Sequence, residues 1–480
     1  MAQTTQKLDQ LTTTRFIAAL SVVLFHGGRE LGILHYLPML TAGPTAVGYF
    51  FVLSGFVMTL AYHRPGSRFD FRNYWLARFS RIYPVYMLSF VLTCLYYIDI
   101  LSKLKPPKIW ANIFLYQAWI PSYALSFNIA AWSLSVEVFF YLVFPALLIF
   151  VMRRSAKQWI WISLGFWSVS QIIHSILTIR FMPQMADWLG YFPLFHLNAF
   201  LLGIAGGIWY LTDSAHRTIN QSRNRFLLLF ALGVVLLLLT LRAFMPSFPH
   251  SFSLDVGLLA PLFLTIILTL ALDTTSLAKG LSHPQLVLLG DASYALYILH
   301  VPFRWLFERL LATTGITLAF GVMFTIHVCV SILLSILVFR YIERPARDWL
   351  RTNAHMLPII LLDIVLILAM TRFSFMLRLG DGTAAFLRTQ NLALRVGVVV
   401  FFVSLLVFRF YITNTWRSLA AAMLTGTIVL AGLMHLAWTS GWVEGFPRSV
   451  IALIPMLIFG AMYLSRLLGK RLIHHDLHSH

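Results

Sequence analysis

Long apolar runs separated by short polar breaks dominate the chain. Runs of roughly 18–22 apolar residues recur, which is the length that an α-helix needs to cross the hydrocarbon core of a bilayer. Divided at charged and Pro/Gly-rich breaks, the sequence predicts about fourteen such spans. Their expected starts lie near Leu11, Gly43, Ile82, Trp132, Trp159, Gly190, Phe226, Asp255, Ser293, Leu318, Met356, Leu392, Leu419 and Ser449. The pattern therefore predicts an all-α polytopic membrane protein.

The composition excludes an ordinary soluble protein. Of 480 residues, 59% are hydrophobic and 11% are charged, whereas about a quarter of a typical globular domain is charged. Both cysteines, Cys94 and Cys329, fall inside predicted spans, which excludes a disulfide framework. No convincing cleavage site follows the first span, so we expect it to be retained rather than removed as a secretory signal.

The net charge of +19 would indicate a nucleic-acid partner in a soluble protein. In a membrane protein, Lys and Arg instead crowd the cytoplasmic loops. If the N-terminus is cytoplasmic, basic residues inside outnumber those outside by about two to one. An even number of spans then returns the C-terminus to the cytoplasm. We expect this orientation and no nucleic-acid partner.

The first span contains two ionisable residues, Arg15 and His26. Such groups are costly in hydrocarbon and are rarely retained without a role or a partner. Eleven residues make close to three helical turns, so both side chains share one face, roughly 16 Å apart along the axis. Glu30 lies one turn beyond His26 and is placed to orient its imidazole. The alternative is an interfacial arginine and a packed, hydrogen-bonded histidine.

Two arginines, Arg78 and Arg81, lie three residues apart where the third span begins. On one helical face they form a pair of planar donors suited to phosphate oxygens. The bias of basic residues toward the cytoplasm is the alternative explanation for their presence.

A third polar group lies at the outer start of the fourth span, in the segment Trp132 to Tyr141. Ser133 and Glu137 are four residues apart and face the same way. His300 lies in the middle of the ninth span beside Pro302. The other membrane histidines, His174, His196, His327 and His435, have no metal-ligand spacing, so no metal site is expected.

These segments together resemble the membrane acyltransferase 3 family. The resemblance rests on Arg15 and His26 as an arginine–ten–histidine motif, Phe50 to Phe56, the pair Arg78 and Arg81, Trp132 to Tyr141, Ser293-Tyr294 to His300, and Glu343-Arg-Pro345. Their order extends over about 350 residues. The family usually has ten core spans, which implies a core at residues 1–351. It often continues with one more span and an exported hydrolase-like domain, whereas this chain adds about four spans in residues 352–480, which we interpret as an accessory segment.

The resemblance implies an acyl-CoA-dependent O-acyltransferase of the bacterial inner (plasma) membrane. The acyl group, acetyl by default with succinyl as an alternative, would pass from cytosolic acyl-CoA to a carbohydrate or glycolipid. Acyl-CoA is a co-substrate, and no permanently bound cofactor is expected. In the family the first-helix histidine is regarded as catalytic, which implies that role for His26. The arginines are associated with donor binding or structure, which implies one of these roles for Arg15, Arg78 and Arg81.

The residues themselves lead to the same chemistry. A sugar hydroxyl needs a base as it attacks a thioester, and His26 is suited to that task. We expect Glu30 to orient His26, and Glu137 to take part in catalysis near the entry of the acceptor on the outer side. Trp132, Ser133 and His300 are expected to contact the substrate. A transient acyl-histidine is a second possible route. A transporter or flippase for a lipid-linked sugar is the competing function, because intramembrane ionisable groups serve transport equally well.

Overall fold

The computed structural model describes residues 8–28, 43–63, 69–97, 106–152, 155–212, 220–245, 253–380, 385–407, 415–443, 445 and 447–477. Within these ranges the regular elements are all helical, which confirms the predicted all-α polytopic fold. The chain divides into two compact units, Met1–Arg351 and Thr352–His480.

The first unit contains fifteen helices of six residues or more among the described ranges. They are α1 (Asp9–Gly28), α2 (Gly43–Tyr62), α3 (Phe71–Tyr96), α4 (Pro106–Ile113), α5 (Trp132–Met152), α6 (Ala156–Phe181), α7 (Ala186–Tyr191), α8 (Pro193–Tyr210), α9 (Gln221–Phe244), α10 (Ala260–Ala271), α11 (Ser276–Leu281), α12 (Pro284–Asp291), α13 (Ser293–Thr314), α14 (Phe320–Val338) and α15 (Arg344–Thr352). Two π-helical turns, Leu254–Leu258 and Phe339–Glu343, precede α10 and α15.

The second unit contains four long helices among its described residues. These are α16 (Leu357–Leu379), α17 (Leu387–Val407), α18 (Trp416–Thr439) and α19 (Arg448–Leu477). A buried ion pair joins the first and last of them, with Nη2 of Arg466 2.6 Å from Oδ2 of Asp363. The two opposite charges partner each other inside the apolar bundle, as intramembrane charges generally must.

Twelve described helices are long and apolar enough to cross a membrane, or thirteen if the pair α12 and α13, bent by 54°, counts as one span. The sequence predicted about fourteen. The eighth predicted span is a π-helical turn, in which Gly257 has φ +84°, followed by the twelve-residue α10. The third helix also begins earlier than predicted, at Phe71, so Arg78 and Arg81 lie within the helix rather than at its mouth.

Helices α2 and α8 pack backbone against backbone at the centre of the first unit. A Cβ atom on Gly55 would lie 2.2 Å from the carbonyl oxygen of Phe200, and one on Gly203 would lie 2.0 Å from that of Val52. Only glycine fits at both positions, as is typical of closely packed membrane helices. Gly55 belongs to the Phe50 to Phe56 segment, so this part of the sequence pattern serves helix packing.

A proline inside a membrane helix leaves one carbonyl oxygen without its intrahelical N–H, and side chains from other segments donate to that oxygen. Pro302 has no N–H to bond the carbonyl of Ile298, and that oxygen accepts hydrogen bonds from Asn128 Nδ2 at 2.7 Å and Ser89 Oγ at 3.1 Å. Asn128 lies in the segment between α4 and α5. This contact fixes the segment beside the second turn of α13, so α5 begins inside the bundle rather than at its outer rim.

The glycine contact between α2 and α8 makes a testable prediction. Gly55→Ala should cost about 1–3 kcal/mol of stability or prevent folding, because its methyl group overlaps a backbone oxygen that cannot move freely. Gly233→Ala in α9 is the matched control, since a Cβ there meets nothing within 4 Å. Unfolding temperature and yield of the purified protein in detergent measure both. Equal stability of the two variants would contradict the packing described here.

Candidate active site

A cavity of about 460 Å³ lies within the first unit. It is lined by residues of five helices, α1, α2, α3, α5 and α13. Four residues singled out in the sequence line it together: Arg15, Arg81, Ser133 and Glu137. The remainder of its wall is mainly apolar, including Phe50, Phe51, Val57 and Met58 from α2. The cavity therefore combines a basic group with a largely hydrophobic surface, as ligand pockets commonly do.

The two cavity arginines are not neutralised by a direct partner. Among the described residues, neither Arg15 nor Arg81 forms a hydrogen bond or an ion pair through its guanidinium. The charges acting on Arg15 come from Arg81, Glu343, Asp291 and Glu137. Of these, Glu343 is 3% exposed, and its Oε2 has no hydrogen-bond partner among the described residues. Two guanidinium groups facing one membrane cavity favour an anionic or strongly polar ligand.

The side chain of Arg78 has different contacts from that of Arg81. Its guanidinium carbon lies 5.5 Å from the ring centre of Tyr62 and 5.4 Å from that of Tyr141. Its Nη2 donates to the Tyr62 hydroxyl at 3.3 Å. Arg78 does not line the cavity. The predicted pair of donors on one ligand is therefore divided, with Arg81 facing the cavity and Arg78 held between two tyrosine rings.

Glu137 belongs to the same cavity as the arginines. The Tyr141 hydroxyl donates a hydrogen bond to its carboxylate. From the sequence we expected Glu137 at the outer start of its span, near the entry of the acceptor. It lies deeper because α5 begins inside the bundle, beside the second turn of α13. Tyr141 therefore contacts both groups. Its ring packs against the Arg78 guanidinium, and its hydroxyl bonds Glu137 in the cavity wall.

Ser133 and Tyr297 form a hydroxyl pair in the cavity wall. Their oxygens are 2.7 Å apart. Both also lie within hydrogen-bond distance of the Ala130 carbonyl, each at 3.1 Å. Tyr297 stands three residues before His300 on α13. The cavity wall and the histidine are therefore neighbours on one helical face.

The two histidines of the sequence motifs meet directly. Nδ1 of His26 is 2.8 Å from Nε2 of His300, and the rings are nearly parallel, with centres 5.1 Å apart. Neither lines the cavity, whereas Tyr297 does. His300 was expected to contact the substrate; its ring stacks against that of His26, and it does not line the cavity. A histidine whose ring is held by a second group is a common arrangement for proton transfer.

Two remaining predicted residues lie elsewhere. Trp132 packs in an aromatic group with Tyr191, His196 and Phe51, at ring-centre distances of 5.0, 5.2 and 6.2 Å, and does not line the cavity. Glu30 lies outside the described residues. The described part of the chain holds no group of three His, Cys, Asp or Glu side chains placed to bind a metal ion.

Sequence reasoning missed Tyr297 and Arg304. The Nη1 atom of Arg304 donates to the backbone carbonyl of His26 at 2.7 Å. Tyr297, His300 and Arg304 are spaced at i, i+3 and i+7, so they share one face of α13. That spacing is visible in the sequence, and it would have placed all three residues on one face of the helix.

Comparison with known proteins decides the family. The model described as an acyltransferase domain of the acyltransferase 3 family matches residues 8–340, which is more than half of the chain. The chain belongs to this family. The match confirms the resemblance identified from the motifs and makes the protein a membrane acyltransferase.

The acyltransferase 3 relatives include proteins from different bacteria. The chain is 28% identical to the acyltransferase MdmB of Streptomyces mycarofaciens over 61% of its own length and 78% of that protein. It is 24% identical to the peptidoglycan O-acetyltransferase OatA of Listeria monocytogenes over 64% of its length, and it spans about half (51%) of that relative. No solved structure matches the chain.

Because Arg78 is packed between tyrosine rings and Arg81 faces the cavity, substitutions of the two arginines should have different effects on the stability of the protein. Arg78→Gln should cost about 2 kcal/mol, because it removes a desolvated cation between two aromatic rings. Arg81→Gln, at the neighbouring cavity position, should change stability by less than about 0.5 kcal/mol. Thermal unfolding of both purified variants measures the difference. Equal destabilisation would show that the tyrosine rings do not hold Arg78 as described.

Proposed function

We propose that this acyltransferase moves an acyl group from an acyl-CoA to a hydroxyl of an envelope carbohydrate or another glycosylated acceptor. Acetyl is the proposed group. The observation that carries the proposal is the alignment, along α1, of the His26–His300 pair with a cavity whose two arginines have no direct ion-pair partner among the described residues. The Listeria relative, named a peptidoglycan O-acetyltransferase, supports a carbohydrate acceptor.

The cavity is proposed as the donor site. A CoA thioester carries phosphates, amide groups and a long pantetheine arm. Arg15 and Arg81 supply cations for its polar groups, and the apolar wall of α2 suits the methylene segments. The arm measures roughly 15–20 Å from bond lengths, and Arg15 and His26 are about 16 Å apart along α1. A donor lying along α1 therefore brings its thioester to the level of His26.

The transfer step balances without a further reactant. The acceptor hydroxyl oxygen attacks the thioester carbonyl carbon while His26 takes the hydroxyl proton. The new C–O bond forms, the C–S bond breaks, and the CoA thiolate leaves. The proton held by His26 then passes to that thiolate, which regenerates the neutral imidazole. General-base assistance of this kind is worth about 10²–10⁴ in rate.

The proposed orientation of the protein in the membrane follows from the distribution of its basic residues. With the N-terminus in the cytoplasm, the Arg15 end of α1 faces the cytosolic CoA pool and the His26 end faces the opposite side. The tyrosine-held Arg78 and the basic helix α15, with Arg344, Arg347 and Arg351, then lie on the cytoplasmic side. Donor and acceptor thus approach His26 from opposite sides, in the inner membrane of a bacterium.

Loss of His26 tests the proposed reaction. The purified protein in nanodiscs, given acetyl-CoA and an envelope polysaccharide extract, should release free CoA thiol, and His26→Ala should reduce the rate by at least about 10²-fold. His174→Ala is the control, because His174 is also a buried membrane histidine but bonds the Leu189 carbonyl. Near-wild-type release by His26→Ala would reject the base. No release by the wild-type protein with any acceptor would favour the transporter.

Donor affinity tests the cavity assignment. Arg81→Gln should weaken binding of acetyl-CoA by about 10–100-fold, because hydrogen bonds to a charged partner contribute about 1.5–3 kcal/mol. Arg78→Lys, which keeps the charge outside the cavity, should leave the dissociation constant within about threefold, a free-energy change below about 0.7 kcal/mol. Isothermal titration in detergent measures both. An unchanged constant in Arg81→Gln would reject the donor site.

A further inference from the structure

Helix α13 holds His26 at two points. Nε2 of His300 contacts the ring of His26, and Nη1 of Arg304 bonds its carbonyl oxygen. The carbonyl lies in the last turn of α1, where helical oxygens lack an intrahelical N–H. Arg304 also pairs with Glu308, with Nε 2.7 Å from Oε1. Backbone and ring of His26 are therefore both fixed by residues one turn apart on the same neighbouring helix.

The hydrogen bonds of His300 determine which of its nitrogens carries the proton. Its Nδ1 lies 2.7 Å from the Tyr297 carbonyl oxygen. A carbonyl only accepts, so Nδ1 of His300 must be the N–H donor. In the neutral ring, Nε2 is then the acceptor. Because Nε2 faces His26, it has to receive a hydrogen bond there.

The same reasoning extends to His26. Its Nδ1 is the atom 2.8 Å from the accepting Nε2 of His300. Nδ1 of His26 must therefore carry a hydrogen, and in the neutral ring the lone pair lies on Nε2. The backbone carbonyl of Tyr297 thus sets the tautomer of His300, and His300 in turn sets the tautomer of His26.

We propose that His300 is a positioning residue that holds His26 in the tautomer whose Nε2 accepts the substrate proton. When Nε2 takes the hydroxyl proton, the positive charge spreads over the ring, and the Nδ1–H bond to His300 becomes charge-assisted. This inference rests on the proposed function, because it assigns the group that supports His26 as base. Arg304 fixes the backbone and so keeps the two rings in register.

Three variants separate positioning from packing. His300→Phe keeps a ring of similar size but removes the acceptor. His300→Gln offers an amide oxygen near the position of Nε2. His174→Phe is the matched control for placing phenylalanine at a buried membrane histidine. Each is purified in nanodiscs, checked by thermal unfolding, and assayed by CoA thiol release across a range of acetyl-CoA concentrations.

We expect His300→Phe to lower kcat by about 10–100-fold, the size typical when the hydrogen-bond partner that orients a metal-binding histidine is removed. KM for acetyl-CoA should stay near its wild-type value, because His300 does not line the donor cavity. His300→Gln should recover most of kcat, and His174→Phe should resemble wild type. Wild-type kcat in a folded His300→Phe would overturn the inference, as would equal loss in the folded Phe and Gln variants.

Failure of the proposed function can be distinguished from failure of the inference about His300. If His26→Ala retains activity, His26 is not the base and the assignment of both histidines falls. If His26→Ala is inactive while His300→Phe is fully active, the base stands and only its positioning by His300 is refuted. A folded His300→Phe that raises KM without lowering kcat also refutes it, since a donor contact would then explain the effect.

Discussion

A polar group inside a bilayer has no water to bond, so it must find its partner within the protein. Most of this chain obeys that constraint visibly. The carbonyl that Pro302 leaves without an N–H is bonded by Asn128 and Ser89, and the one that Pro145 leaves is bonded by the Tyr74 hydroxyl at 2.8 Å. In the second unit, Asp363 and Arg466 satisfy each other. Groups that depart from the constraint are therefore informative.

Arg15 and Arg81 depart from it at the cavity. They face a common cavity without an ion-pair partner among the described residues, while Arg78 and Glu137 next to them are each held by a tyrosine. Two cations that face one membrane cavity without a direct ion-pair partner favour an anionic or strongly polar ligand. In this way the same physical rule separates residues that build the bundle from residues that serve the reaction.

The sequence predicted the helices well because a span leaves a long and continuous apolar pattern. It also singled out Arg15, Arg81 and Ser133, which line the cavity, and His26, because each is a polar residue within or at the start of a span. It did not predict the depth at which helices meet. Depth depends on contacts between distant segments, such as that of Asn128 with Ile298, which placed Glu137 beside the arginines. The packing of Trp132 and Arg78 among aromatic rings likewise depends on segments that are distant in the sequence. The proposed role of His300 also rests on such a contact, because His26 and His300 are 274 residues apart.

The proposed meeting of a donor held in the cavity with His26 farther along α1 is tested most directly by a structure with a bound donor analogue. An experimental structure in nanodiscs would use a thioether analogue of acetyl-CoA, which cannot transfer its acyl group. The reactive carbon is expected within about 4 Å of Nε2 of His26, close to the separation of a near-attack geometry. The pantetheine arm should pass Arg15 and Arg81. An analogue bound outside this cavity, or one whose reactive carbon is remote from His26, would contradict the proposed mechanism.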